Sequence, residues 1–155
     1  MEVGILRKLI KFGLVPLVTF AFVASFMVGV AYAGQAVSAY GYYTVNGVYY
    51  KNWAVVNTDP ASNHQAYAVT LVSPLNTSIG GGWAGAMPRI YNNGALVCAD
   101  SYTYNSSPMA VNDVLNPAGC FNNTPGVWST QGATRGWNGS GYSSYWTFVS
   151  PSQNS

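Results

Sequence analysis

Charge is the scarcest resource in this sequence. Among 155 residues only four are acidic and six basic, histidine occurs once and cysteine twice. Glu2 is the sole glutamate, and Arg7, Lys8 and Lys11 crowd the first eleven positions. Beyond them Lys51, Arg89 and Arg135 stand against Asp59, Asp100 and Asp113, so the remainder of the chain is formally neutral. With no basic patch to neutralise phosphates, nucleic acid is excluded as an expected partner. One histidine and two cysteines do not make a transition-metal ligand set, and neither a metal nor a cofactor is expected. Three carboxylates leave little for glycoside hydrolysis, which usually needs two flanking the scissile bond. Helical periodicity is also missing from everything after residue 33.

What the chain has in place of charge begins with its first 33 residues. A basic start is followed by an uncharged apolar run from Phe12 to Val30 and by Ala31-Tyr32-Ala33, small residues where signal peptidase cuts. This order reads as a secretory signal peptide over 1–33, removed before Gly34, with no membrane span left afterwards. The run is also near the length that crosses a bilayer, so a retained anchor is the alternative. Pro16 early in the run and the A-x-A site favour cleavage. The expected product is secreted and extracellular. The 122 residues after Ala33 suffice for one domain that buries roughly two-thirds of its unfolded surface. Fourteen asparagines and fourteen serines there must supply the solubility that charge does not, and near-zero net charge favours self-association.

Cys98 and Cys120 are the only cysteines, and an even pair in an exported chain most simply forms one disulfide. Asn-Gly steps at Asn46, Asn93 and Asn138 supply the positive φ of tight hairpin turns. Strands are expected near 37–45, 48–57, 65–73, 83–91, 95–104, 126–134 and 142–150. The expected fold is all-β, a single antiparallel sandwich of about seven strands spanning 34–150, or a small barrel, followed by a flexible tail over 151–155. The stretches "YGYYTVNGVYYKN" and "WSTQGATRGWNGSGYSSYWTFVSPSQNS" resemble small secreted proteins of filamentous Gram-positive bacteria. That resemblance implies export and a β-rich domain and contributes no functional residue.

Several motifs fail on context. Gly80 to Gly85, "GGGWAG", fits a dinucleotide fingerprint but lacks the helix after it and the acidic residue that the fingerprint requires. His64 with Asp59 could orient a nucleophile, yet "NGSG" at Asn138 to Gly141 lacks the first glycine of a nucleophile elbow. Asp100 sits in a strand pattern and Asp113 in a long loop. Sequons at Asn76, Asn105, Asn122 and Asn138 are what an Asn- and Ser-rich composition produces.

The residues that carry a functional reading are rings. If Asn46-Gly47 is a two-residue turn, Val45 meets Val48, Tyr43 meets Tyr50, Gly41 meets Asn52 and Ala39 meets Ala54 on one face. The other face gathers Tyr40, Tyr42, Tyr49, Lys51 and Trp53. Turned outward, that band is a binding platform with Lys51 over the Tyr42 ring. Turned inward, Trp53 with Val55 beside it fills the core, and the bulk of these two residues favours this second assignment. Exposed Tyr, Trp and Asn suit a non-enzymatic secreted module that binds an extracellular polysaccharide, a wall polymer or a protein surface. A small secreted hydrolase, or an antimicrobial or inhibitor protein, is the alternative.

Overall fold

The computed structural model describes residues 34–59 and 63–155. The expected leader, its cleavage site and part of the turn between Asp59 and His64 therefore lie outside the described residues. Thirteen antiparallel strands form three sheets. In the first sheet β3 (Val48–Asp59) is bordered along one edge by β1 (Gly34–Val37) and β2 (Gly41–Val45). Its other edge pairs with β4 (Gln65–Pro74), and β9 (Ala118–Asn122) lies beyond. The second sheet runs β13 (Gln153–Asn154), β10 (Val127–Thr130), β6 (Arg89–Asn92), β7 (Ala95–Ala99). The third runs β12 (Tyr142–Trp146), β11 (Ala133–Trp137), β5 (Ala84–Met87), β8 (Thr103–Tyr104).

The chain is thus all-β, with more and shorter strands than the seven expected. The segment 83–91 divides at Pro88, which has no N–H to give a ladder. The segment 126–134 divides at Gln131-Gly132, where a Cβ on Gly132 would collide with Thr70 and with the Met87 carbonyl. The segment 95–104 divides into β7 and β8 around Asp100, while in 142–150 the strand ends at Trp146 and Thr147 and Ser150 add single backbone hydrogen bonds to Gly132 and Thr130. β9 lies between the strands expected at 95–104 and 126–134, where none was expected. Residues 151–155, expected to be a flexible tail, carry β13, which pairs with β10; Ser155 and Gly126 exchange backbone hydrogen bonds, and the Trp128 indole N–H donates to Ser155 Oγ at 2.7 Å. Among the described residues there is no helix.

Turn chemistry explains the hairpins. Asn46 (φ 48°) with Gly47 (φ 77°), and Asn93 (φ 49°) with Gly94 (φ 80°), hold both central positions at positive φ, as the turn that matches strand twist requires. The third Asn-Gly step behaves differently: Trp137 pairs with Tyr142 across a four-residue loop, and Asn138 Oδ1 accepts the N–H groups of Ser140 and Gly141. The other sequon asparagines are equally engaged. Asn76 accepts the Tyr49 N–H and donates to the Gly47 carbonyl, and Asn122 caps Thr124. Buried Asn105 accepts the Ala84 N–H and donates to the Gly80 and Ser107 carbonyls, which shapes the glycine-rich turn ahead of β5.

Two hydrophobic clusters fill the interior. Tyr43, Val45, Val48, Tyr50 and Val72 of the first sheet meet Ala84 and Ala86 of the third, with Ile79 and Met109 between them. Ala36, Val56, Ala66, Ala68 and Cys120 of the first sheet meet Ile90 and Trp128 of the second. The Cys98–Cys120 disulfide, Cα–Cα 5.4 Å, staples edge strand β7 of the second sheet to edge strand β9 of the first. Cys120 sits at φ 51° in a bulge opposite Tyr67 and Ala68, and its N–H is held by Asp100 Oδ2 at 3.1 Å.

Candidate functional site

The register of the tyrosine hairpin decides which rings meet solvent. Val45 pairs with Val48, Tyr43 with Tyr50 and Gly41 with Asn52, as the two-residue turn requires. The pattern slips beyond Gly41. Val37 pairs with Val55, and Ser38 exchanges hydrogen bonds with Ala54, so the expected Ala39–Ala54 pair does not form and Ala39 and Tyr40 are both exposed. A one-residue bulge separates β1 from β2.

Tyr42 is 54% exposed and Tyr43 only 8%, so the ring band faces outward and the core assignment favoured from side-chain size is corrected. Bulk was a poor guide because three stacked tyrosines fill that part of the interior instead. Tyr43 stacks on Tyr50 at 5.2 Å and on Tyr145 of β12 at 4.0 Å, which links the first sheet to the third. In the outer band Tyr42 stacks on Tyr49 at 5.8 Å, and Tyr40 meets Trp53 edge-on at 5.5 Å. The Lys51 ammonium lies 4.8 Å from the Tyr40 ring and 4.9 Å from Trp53, rather than over Tyr42.

Where β2 approaches β12, the band bends into a cleft of about 360 Å³ lined by Tyr40, Gly41, Tyr42, Tyr43, Asn52, Tyr145, Trp146 and Phe148. Six of these eight residues are aromatic and none is charged. At its base Asn52, 1% exposed, donates through Nδ2 to Thr134 Oγ1 at 2.9 Å. The same oxygen accepts the Tyr43 hydroxyl at 2.9 Å, and Thr134 donates to the Tyr145 carbonyl. Asn52 Oδ1 has no partner and faces Gly41, where a Cβ would collide with it. A buried amide oxygen left unpaired costs about 1–3 kcal/mol, so its retention in a strand of alternating core residues asks for an explanation. Burial also pushes the Tyr43 hydroxyl well above the usual phenol range and that of Tyr50 up to about 12; Tyr43 donates to Thr134, whereas the buried Tyr50 hydroxyl has no partner.

A larger hollow of about 580 Å³ lies beside the disulfide, lined by residues that include Gln65, Tyr67, Asp100 and Phe121. Its carboxylate is already committed to the Cys120 N–H. Asp113 accepts the Ala110 N–H at 2.6 Å. Asp59 and His64 close opposite ends of the β3–β4 connection, with His64 exposed at φ 56°. Among the described residues no three His, Cys, Asp or Glu side chains cluster as a metal site would need.

Sequence reading found the outer band but missed the cleft residues Asn52, Tyr145, Trp146 and Phe148. Asn52 carried a usable signal, because it shares strand parity with Val48, Tyr50, Ala54 and Val56 and so had to be a polar group on the core face. The approach of β12 to β2 is a long-range contact with no local signature. The chain matches no family model, and neither a curated protein nor a solved structure matches it.

Proposed function

We propose that this chain is a secreted, non-enzymatic binding module that holds a neutral sugar ring of an extracellular polysaccharide or wall polymer in the ring-lined cleft. The observation that carries this reading is Asn52: a buried carboxamide oxygen without a partner, at the base of an uncharged cleft walled by six aromatic side chains. A pyranose has an apolar face to lay on tyrosine or tryptophan and hydroxyl groups at its rim. One such hydroxyl reaches Asn52 Oδ1 once the residues that shield it in the free protein, Gly41 among them, give way to the ligand, and it then satisfies the acceptor that folding leaves open. Tyr42 and Tyr40 carry the surface from the cleft onto the outer band, where Tyr49, Trp53 and Lys51 extend it for further units of a chain-like ligand.

Secretion rests on the basic start, apolar run and A-x-A site of residues 1–33, and an intact mass beginning at Gly34 in the culture medium is the expected result. The non-enzymatic reading is supported by the carboxylates at Asp100 and Asp113, each already engaged by a backbone N–H. The test is a screen of the purified protein against neutral polysaccharide and cell-wall preparations, with soluble products followed in the same tubes. Binding without release of products is expected, and His64→Ala should leave it unchanged. Product release that disappears in His64→Ala, with an unaltered melting transition, would install the hydrolase alternative.

A further inference from the structure

The described residues include two arginines, Arg135 on β11 of the third sheet and Arg89 on β6 of the second, and both side chains lie among aromatic rings. Arg135 pairs in register with Gly85 and Ser144. Buried Thr134 and Gly136 turn inward on either side of it, so its side chain points out. Its guanidinium lies 3.7 Å from the Tyr102 ring, donates through Nε to Ser144 Oγ at 2.9 Å, and donates through one Nη to the Tyr104 hydroxyl at 3.0 Å. The Tyr104 ring reaches this position because Gly85 beneath it has no Cβ; one placed there would lie 2.8 Å from Cε1. Tyr142 continues the row, 4.8 Å from Tyr104 and 5.3 Å from Trp137, with its hydroxyl fixed to the Gly82 carbonyl at 2.8 Å. Arg89 stands over Trp146 at 5.1 Å and Tyr91 at 5.6 Å.

Neither guanidinium faces Asp100 or Asp113. Asp100 is turned to the Cys120 N–H and Asp113 to the Ala110 N–H, and among the described residues neither arginine pairs with a carboxylate. A guanidinium has five N–H donors in a fixed fork. Arg135 uses two, and Arg89 makes no side-chain hydrogen bond among the described residues, with its Nε shielded and unpartnered. Both cations are held in place by rings and keep donors to offer. Arg89 follows Gly85, the register partner of Arg135, by four residues, which puts the two positions roughly 13 Å apart along the strand direction at about 3.3 Å per residue. Trp146 and the Met87 side chain lie on the same face between them. The two guanidinium groups rest on separate rings, Arg135 on Tyr102 and Arg89 on Trp146 and Tyr91, so a ligand that engages both is a chain with more than one acidic group.

We propose that this face is a second binding surface, for an acidic polysaccharide whose anionic groups pair with Arg135 and Arg89 while its sugar faces rest on Tyr102, Tyr104, Tyr142 and Trp137. It does not rest on the cleft reading: none of these six residues lines the cleft, and the two surfaces share only Trp146, under the Arg89 guanidinium. Two arginines, in residues 34–155 whose formal charges sum to zero, are too few to hold a nucleic acid by counterion release, while planar guanidinium forks match carboxylates well. The test measures binding of polygalacturonate and of its methyl ester, which keeps the rings and removes the charge. The expected result is binding of the acid form about tenfold or more tighter than the ester, weakened by salt as exposed charge pairs are. An Arg89→Gln, Arg135→Gln double variant should lose that preference, and the corresponding Lys pair, which keeps the charge but not the fork, should retain a reduced preference. Overlaid unfolding curves establish that the Gln pair is folded; should it not fold, the acid-to-ester ratio and the Lys pair still decide. Equal binding of acid and ester, wild-type binding by a folded Gln pair, or tighter binding of single-stranded oligothymidylate would each overturn the proposal. Absence of an acid preference in the wild type, with neutral glycans still bound, would remove this surface and leave the cleft untouched.

Discussion

Replacing Asn52 by valine should separate stability from binding. In the unliganded protein Asn52 gains one good hydrogen bond, to Thr134 Oγ1 at 2.9 Å, and a long one to the Trp146 carbonyl at 3.5 Å. Against these stands Oδ1, fully buried and unpaired. The good bond is worth about 1 kcal/mol net, and an unsatisfied buried acceptor costs about 1–3 kcal/mol. Valine removes both, suits a strand and stops short of Gly41. Thr134 keeps the Tyr43 hydroxyl as a donor. Asn52→Val should therefore leave stability unchanged or raise it by about 1 kcal/mol, a rise of roughly 4 °C in melting temperature for a domain of this size. Urea denaturation read by near-ultraviolet circular dichroism measures the change at constant m value. Glycan binding should fall in the same variant. A loss of about 2 kcal/mol or more would mean that the oxygen already has a partner in the free protein, and the reason for assigning it to a ligand would go.

The exposed band should tolerate truncation: Tyr42→Ser and Tyr49→Ser are expected to change stability by under about 0.5 kcal/mol. The core tyrosine Tyr43→Ser should instead cost roughly 3 kcal/mol. Both are read by denaturant titration, and a cost for Tyr42→Ser near that of Tyr43→Ser would contradict the register. Reduction of Cys98–Cys120, which closes a 22-residue separation, should lower stability by about 3 kcal/mol on the chain-entropy account; thiol labelling of the unfolded, unreduced protein should find no free sulfhydryl. Tyr50 holds its proton up to about 12 when folded and to about 10 when unfolded. Its contribution is complete below pH 10 and is lost as the pH rises towards 12, with Tyr43 adding in the same direction. Tyrosinate absorbance should show two hydroxyls that ionise only with unfolding, and Tyr50→Phe should make the alkaline loss shallower.

Local chemistry made much of this fold legible. The Asn46-Gly47 and Asn93-Gly94 turns fix their hairpins through positive φ, so alternation from Val45 and Val48 outward placed Tyr43 opposite Tyr50 and Gly41 opposite Asn52 correctly. It did not say which face was core, because tyrosines occupy both, and side-chain bulk pointed the wrong way. The decision belongs to Tyr145, which arrives from about a hundred residues later in the chain to stack on Tyr43. The strand breaks at Pro88 and Gly132 were visible as residue types, yet Gly132 is required by Thr70 pressing from another sheet. β9 was obscured because its bulge at Cys120 interrupts the alternation. The arginine face was unreadable for the same kind of reason: Arg89, Arg135, Tyr102 and Tyr142 are scattered along the chain and meet only through strand register.

The most direct measurement is affinity electrophoresis of the folded protein through gels containing neutral polysaccharides, with Asn52→Val run beside the wild type. Retardation of the wild type by at least one neutral glycan, abolished in a variant that is equally or more stable, is the result expected from a cleft that uses Asn52 Oδ1 to hold a sugar hydroxyl. Retardation of Asn52→Val equal to the wild type, or none across neutral glycans for a protein shown to be folded, would contradict the account.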